Sequence, residues 1–106
     1  MPLVDLTGRA LVGTVRSAVP LEGARTPAYV LEIDFGDAGA RRSSAQITDL
    51  YQPADLIGTQ IVALVDLPPK RIAGVVSECL VLGIATREGV VILRPERGVA
   101  DGGEVF

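Results

Sequence analysis

Apolar and polar residues alternate most regularly between Tyr29 and Phe35, where the sequence reads YVLEIDF. Every second residue from Tyr29 onward is apolar, whereas the opposite parity carries Glu32 and Asp34. A period of two is typical of a strand that buries one face and exposes the other. This segment is therefore the clearest strand in the chain.

Strands are also predicted on both sides of that segment. The preceding stretch, ALVGTVRSAV, is rich in β-branched residues and predicts a strand over about Ala10–Ala18 with a bend at Gly13. The following stretch, ARRSSAQIT at 40–48, returns as a third strand, although neither of its faces is strongly apolar. We therefore expect the third strand to serve a surface.

A short helix is predicted after the third strand, within TDLYQPADLIGTQ. Thr48 or Asp49 is suited to cap it, Pro53 to occupy a first helical position, and Gly58 to end it. The spacing allows one or two helical turns.

Three further apolar segments follow the helix. QIVALVDL, at 60–67, is continuous enough for a central strand. SECLVLGIA, at 77–85, predicts a fifth strand, VVILRP its hairpin partner across a turn that contains Gly89, and 104–106 a short edge strand.

This order of elements predicts an all-β fold with short helices, and more specifically an OB-fold. That fold is a five-stranded Greek-key barrel, here with a short helix between strands three and four. An SH3-like barrel is the alternative, but the position of the helix favours the OB-fold. The 106 residues are of ordinary size for one domain, and burial by self-association would add to a core of that size.

Composition excludes several classes of function. The chain has no histidine, which removes Ser-His and Cys-His nucleophile activation and the usual zinc sites, so we expect no enzyme activity, no metal and no cofactor. The single cysteine, Cys79, lies in an apolar run and is expected to be buried. The sequence opens with no export leader and contains no apolar run long enough for a membrane span, so we expect a cytoplasmic protein.

Charge is distributed unevenly along the chain. Acidic residues outnumber basic ones by 13 to 10, which argues against nonspecific binding of polyanions. Two basic pairs, Arg41-Arg42 and Lys70-Arg71, nevertheless allow a local cationic patch. The alternative interpretation of each pair is solvated loop charge.

Two segments in the same order as these basic pairs carry a family resemblance. They are RRSSAQIT at Arg41–Thr48 and PPKRIAGVVSECLVLG at Pro68–Gly83, supported by PAYVLEIDFG at Pro27–Gly36 and VVILRPERGVADG at Val90–Gly102. Together they resemble the CsaA family, bacterial proteins of the tRNA-binding OB-fold group whose domain is also appended to methionyl- and phenylalanyl-tRNA synthetases. The resemblance covers nearly the whole chain, so we expect one domain of this type over residues 1–106.

The resemblance implies a homodimeric chaperone for protein export. Such a protein binds unfolded preproteins and the export ATPase without inserting into the membrane, and its N-terminal segment and terminal strands help to join the subunits. Relatives in the group bind tRNA by its shape. The residues that carry over to the ligand-binding face, for peptide or tRNA, are Arg42, Ser43, Ser44, Gln46, Lys70, Arg71, Ser77 and Glu78.

Three features favour polypeptide over tRNA as the ligand: the excess of acidic residues, the similarity to CsaA over nearly the whole chain, and Val76. Val76 stands where the family usually carries lysine, which removes a cation from the second segment. Only two tyrosines and two phenylalanines are present, which counts against the stacking that single-stranded RNA requires. We therefore predict a non-enzymatic chaperone, with structure-selective tRNA binding by the same face as the alternative.

Overall fold

A five-stranded antiparallel sheet is the largest sheet among the described residues. The computed structural model describes residues 8–106. A 3-10 turn occupies Gly36–Ala38, and the only other helical element in that range is helix α1 at Pro53–Leu56. The strands are β1 (Ala10–Pro20), β2 (Tyr29–Asp34), β3 (Ala40–Ala45), β4 (Gln60–Leu64), β5 (Lys70–Ile72), β6 (Val75–Ser77), β7 (Leu80–Val81), β8 (Gly83–Ala85) and β9 (Val90–Ile92).

The strand order of the main sheet is β3-β2-β1-β4-β7, while β5-β6 and β8-β9 form separate hairpins. Strand β1 pairs with β4 through its first half and with β2 through its second half, and the register shifts between Val15 and Ser17. This shift lets a long strand curve around the core, as the closure of a small barrel requires. The sheet is thus a nearly closed barrel, which confirms the predicted OB-fold architecture.

Gly13 permits close packing inside this curve. A Cβ atom at Gly13 would lie 2.6 Å from Cγ2 of Ile33 and 2.7 Å from Cδ1 of Phe35, both of which are fully buried. The glycine was predicted from the sequence as a bend. In the structure, position 13 requires glycine mainly because no side chain fits between β1 and the Phe35 ring.

Two clusters of buried residues lie on opposite faces of β1 and β4. The inner cluster fills the barrel and includes Leu11, Leu31 and Phe35, whereas the outer cluster comprises Ala10, Val12, Val62 and Leu64. Leu67, Leu82 and Val105 pack over the outer cluster. Successive residues of a strand point to opposite faces, so both faces of β1 and β4 are apolar.

Helix α1 lies between β3 and β4, as predicted, and Pro53 is its first residue. The cap is Gln52, whose main-chain N–H donates to Oδ2 of Asp55 at 2.8 Å, so the prediction of Thr48 or Asp49 as the cap is wrong. The fully buried side chain of Leu56 joins the inner cluster. The helix therefore covers one end of the barrel.

The region after β4 differs most from the sequence-based prediction. The expected single strand SECLVLGIA is divided among β6, β7 and β8, because its residues hydrogen-bond successively to β3, β4 and β9. The hairpin of β5 and β6 was not predicted; its two-residue turn uses positive φ angles at Ala73 and Gly74. The expected edge strand at the C-terminus is a single bridge between Glu104 and Leu11.

Two further expectations concern the N-terminal segment and a membrane span. The N-terminal segment that the resemblance assigns to subunit contact lies largely in 1–7, outside the described residues. Within 8–106, no helix has the length and apolar character needed to cross a bilayer.

Candidate functional site

The outer edge of β3 is sealed between Arg42 and Ser44. The Glu78 N–H donates to the Arg42 carbonyl at 2.7 Å, and the Arg42 N–H donates to Oε1 of Glu78 at 3.0 Å. The Ser44 N–H donates to Oγ of Ser77 at 3.1 Å. Two side chains therefore satisfy donors that a neighbouring strand would otherwise take, and we call this contact of 42–44 with 77–79 the seam.

Ser43 and Cys79 hold the seam from the inside. Ser43 is fully buried, and its hydroxyl donates to the Cys79 carbonyl at 3.0 Å. The Ser77 hydroxyl donates to the same carbonyl at 3.3 Å. Burial raises the pKa of the Cys79 thiol to about 11, so this cysteine is protonated and a poor nucleophile at neutral pH.

Beyond the seam, the edge of β3 borders an open groove. Strand β8 pairs with β9 alone, so its other edge remains unpaired here, and the Gln46 N–H, directly after β3, makes no hydrogen bond among the described residues. The groove has a volume of about 560 Å³, which is within the usual range for ligand pockets. Its lining is Ser44, Ala45, Gln46, Ile47, Leu67, Pro68, Lys70, Ile72, Ser77, Cys79, Leu80, Val81, Gly83, Ala85 and Val90.

The groove is mainly apolar, and among its lining residues only Lys70 is charged. Ser44, Gln46 and Ser77 supply neutral polar groups at its side. Leu80 is 49% exposed and makes apolar surface available to a ligand.

A second cavity of about 300 Å³ extends the groove past Gln46. It shares Gln46, Ala85 and Val90 with the groove, and its charged lining residue is Asp49. A Cβ atom at Gly89 would lie 2.6 Å from the Asp49 Cβ, so the glycine allows Asp49 to pack closely against the turn of the β8-β9 hairpin. The extended groove therefore has Lys70 near one end and Asp49 near the other.

Seven of the eight residues expected at the ligand-binding face fall into two groups, with Ser44 and Ser77 common to both. Gln46, Lys70, Ser44 and Ser77 line the groove. The seam contains Arg42, Ser43, Ser44, Ser77 and Glu78. Arg71 lines neither; it is exposed on the β5-β6 hairpin opposite Val76, which is 36% exposed.

The two arginines of the first basic pair have different surroundings. The guanidinium of Arg41 donates to the carbonyls of Val65 at 2.9 Å and Ala38 at 3.2 Å, so it links β3 to the end of β4. Arg42 is exposed, with Nη2 3.7 Å from Oε1 of Glu32. The acidic neighbour offsets part of the charge that Arg42 would present to a phosphate.

Sequence reasoning missed the apolar lining and the carboxylate of Asp49. For part of the lining, the sequence pattern could have indicated burial. Ala45 and Ile47 follow Ser43 at a period of two, and all three residues are buried. Leu67 and Leu80 gave no such signal, since they reach the groove only through the turns around β5, β6 and β7. In 8–106 there is also no group of three or more Cys, Asp or Glu residues placed to hold a metal ion.

Comparison with known proteins identifies the family to which the chain belongs. The family profile described as "Putative tRNA binding domain" matches residues 11–104, and the chain belongs to that family. Within it the chain is CsaA-like. The chaperone CsaA of Bacillus anthracis is 49% identical, with 92% of this chain and 90% of that one covered and a TM-score of 0.86. The CsaA chaperone protein of Picrophilus torridus is 42% identical, with 92% and 91% covered and a TM-score of 0.88.

Methionine–tRNA ligases share the same domain. The enzyme of Methanococcoides burtonii is 30% identical over 87 residues, which are 81% of this chain. The chain spans only 13% of the length of that ligase. The similarity therefore concerns one small part of that enzyme.

Proposed function

We propose that this protein is a non-enzymatic, cytoplasmic chaperone that binds unfolded polypeptides, including export precursors, as a homodimer. The observation that carries the proposal is the groove beside β3, which is mainly apolar and has Lys70 as its charged lining residue. The similarity to the CsaA chaperones of Bacillus anthracis and Picrophilus torridus supports it. The export ATPase is a proposed second partner, on the family resemblance alone.

Burial of apolar client side chains supplies the affinity in this proposal. Each square ångström of apolar surface removed from water contributes roughly 25 cal/mol, less the cost of ordering the client. The neutral groups of Ser44, Gln46 and Ser77 can hydrogen-bond any main chain. Such a site tolerates many client sequences, as a chaperone requires.

tRNA binding is the second candidate, favoured by the family assignment and by the exposed pair Lys70 and Arg71 on β5. Cations at these positions could contact a phosphate backbone. The net charge of −3, the carboxylate of Glu32 beside Arg42 and the valine at position 76 all weaken that interpretation.

The proposed homodimer is supported by an exposed apolar face on the β8-β9 hairpin. Ile84 and Val91 are paired across the hairpin and are 55% and 41% exposed. Leu82 and Leu93 form the next pair of that parity, since the Leu93 N–H donates to the Leu82 carbonyl. A contiguous apolar face of this kind is typical of an interaction surface. Light scattering should give the mass of a dimer, and Ile84→Asp should shift it toward the monomer.

A paired titration separates the two ligands. The protein is mixed with an aggregating unfolded precursor and, separately, with total tRNA at low and high salt. We expect protection of the precursor and weak tRNA binding. Tight tRNA binding that falls steeply with salt, without protection of the precursor, would refute the chaperone proposal.

A variant tests whether the basic pair belongs to the binding face. Lys70→Ala with Arg71→Ala should weaken ligand binding while the melting temperature and the dimer stay unchanged. Arg94→Ala with Arg97→Ala is the matched control, because both residues are exposed and neither lines the groove. Loss of folding in the first variant would instead make the pair structural.

A further inference from the structure

We propose that the groove binds its client as an added β-strand between β3 and β8, with a client acid near Lys70 and a client base near Asp49. This inference rests on the proposed function, since it states how and in what chemical form the polypeptide is bound.

The first step concerns the edge of β3. The main-chain groups of Arg42 and the N–H of Ser44 point away from β2, because they bond to Glu78 and Ser77 in the seam. Gln46 is two positions beyond Ser44, directly after the strand ends, so its main-chain groups should also point away from β2. Gln46 lines the groove. No main-chain hydrogen bond of the described residues uses the Gln46 N–H. The outward-facing groups of β3 are therefore satisfied within the seam, and the Gln46 N–H directly after the strand is available to a ligand.

The second step concerns β8. Thr86 and Gly89 exchange main-chain hydrogen bonds of 3.0 and 3.2 Å at the end of the hairpin. Bonded and non-bonded pairs alternate in an antiparallel ladder, so Ala85 and Gly83 point their N–H and C=O groups away from β9. Both residues line the groove. The groove thus lies between two edges that carry unpaired main-chain groups.

Unpaired edges of this kind accept a further strand. An extended peptide gains main-chain hydrogen bonds that do not depend on its sequence, while alternate side chains enter the pocket. The apolar lining by Ile47, Ile72 and Val90 suits alternate apolar client residues. Sequence-independent main-chain bonds with tolerant side-chain contacts match the needs of a chaperone.

The third step concerns charge. Lys70 is paired with Ser77, which bonds to Ser44, so the main chain of Lys70 lies at the Ser44 end of the groove that its side chain lines. Asp49 is five positions beyond Ser44 and lines the cavity that extends the groove. Five residues span at most about 18 Å. A client strand of five or six residues therefore reaches from one charge to the other.

This arrangement favours polypeptide over a nucleic-acid strand. A phosphate backbone carries the same charge at every step, so the carboxylate of Asp49 would repel it. A polypeptide can present opposite charges at the two ends of an apolar segment. The charge pattern of the groove is complementary to such a segment.

The experiment uses two short peptides of alternating valine and threonine, one with Lys at the amino end and Glu at the carboxyl end, the other reversed. We expect one of the two to bind more tightly to the wild-type protein. N-methylation of alternate main-chain amides in that peptide should weaken binding about tenfold through loss of main-chain hydrogen bonds. The Lys70→Glu and Asp49→Lys double variant should reverse the preference, whereas Arg94→Ala with Arg97→Ala should leave it unchanged.

The outcomes separate this inference from the function on which it rests. Equal affinity of the N-methylated peptide, or an unchanged preference in the charge-swapped variant, overturns the added strand even if precursors are still protected from aggregation. Failure of both peptides and precursors to bind overturns the proposed function as well. tRNA that displaces the peptide and binds more tightly to Asp49→Lys would assign the groove to a phosphate backbone and also overturn the inference.

Discussion

The outer edge of β3 and the segment that follows the strand differ in how their main-chain groups are satisfied. From Arg42 to Ser44 the edge is closed by Ser77, Glu78 and Cys79, with hydrogen bonds of 2.7 to 3.1 Å. From Gln46 to Asp49 the chain borders a groove and its extension. One continuous polar segment of sequence therefore closes the barrel with its first half and presents a surface with its second.

Because of this difference, substitutions in neighbouring residues should affect either the stability of the fold or the binding of a ligand. Substitutions in the seam leave buried polar groups without partners, which costs free energy of folding. Substitutions along the open part remove groups that meet solvent or ligand, so they should change binding with little effect on folding. Variants placed on each side of Ala45 test that division.

The largest effect is expected inside the seam. Ser43→Ala with Ser77→Ala removes both hydroxyl donors to the Cys79 carbonyl and should lower the free energy of unfolding by about 2–3 kcal/mol in urea denaturation. Ser44→Ala is the matched control, since its hydroxyl makes no hydrogen bond among the described residues and its loss should cost under about 0.5 kcal/mol. Equal losses in both variants would contradict a structural function for the seam.

Cys79 gives the stability of the seam a pH dependence. Burial raises the thiol pKa from 9.0 to about 11, so the folded protein holds this proton more tightly than the unfolded chain. The resulting stabilisation is complete below pH 9 and is lost as the pH rises toward 11. Denaturation across that range should show a decline that is smaller in Cys79→Ala. An identical decline in both proteins would place the thiol in contact with water.

The same burial predicts slow reaction with thiol reagents. At pH 8 the folded protein should react about a hundredfold more slowly than the unfolded chain, because each unit of pKa changes the thiolate fraction about tenfold.

Much of the fold was predictable because local pattern and tertiary environment agree. The alternation in β2, Pro53 at the start of α1 and Gly89 in the β8-β9 hairpin each have a local physical cause that the structure retains. The β5-β6 hairpin was missed because its turn places Ala73 at a φ of 48°, a conformation that alanine rarely adopts and that the sequence does not signal.

The family motif names residues that the structure brings to the groove and the seam, but the sequence does not indicate which of them close the barrel edge. Their part in ligand binding stays a prediction. The family motif identified residues on both sides of the groove, yet only the parity shared by Ser43 and Ala45 hinted that Ser43 is buried. The seam depends on contacts between residues 33 to 36 positions apart, such as Ser44 with Ser77 and Ser43 with Cys79. Local patterns carry no information about such pairing.

A smaller effect is expected on the open side, at Gln46. Gln46→Pro removes the N–H that the added strand would use, and proline is tolerated where no ladder hydrogen bond is lost. Client affinity should fall about fivefold, the equivalent of one hydrogen bond, and the free energy of unfolding should change by less than about 0.5 kcal/mol. Gln46→Ala keeps the N–H and loses only the side-chain amide, so it should lose less client affinity than Gln46→Pro does. Equal binding by both variants would remove the main chain of Gln46 from the site.

The smallest effect concerns a pair outside both the edge of β3 and the segment that follows it. Hydrogen bonds from Arg9 lower the pKa of the Asp66 carboxyl from 3.8 to about 2. Its stabilisation is therefore present above pH 4 and is lost as the pH falls toward 2. The pair is exposed, so Asp66→Asn should change stability little and client binding not at all. Carboxyl titration by NMR checks the pKa; an ordinary value would mean that the pair does not form in solution.

Amide hydrogen exchange of the protein, with and without a saturating unfolded precursor, tests the groove most directly. We expect the precursor to slow exchange at Gln46–Asp49 and Gly83–Ala85, while Arg42–Ser44 stays unchanged because its N–H groups are already bonded in the seam. Slowing confined to the β5-β6 hairpin, or none along the two groove edges, would contradict polypeptide binding between β3 and β8.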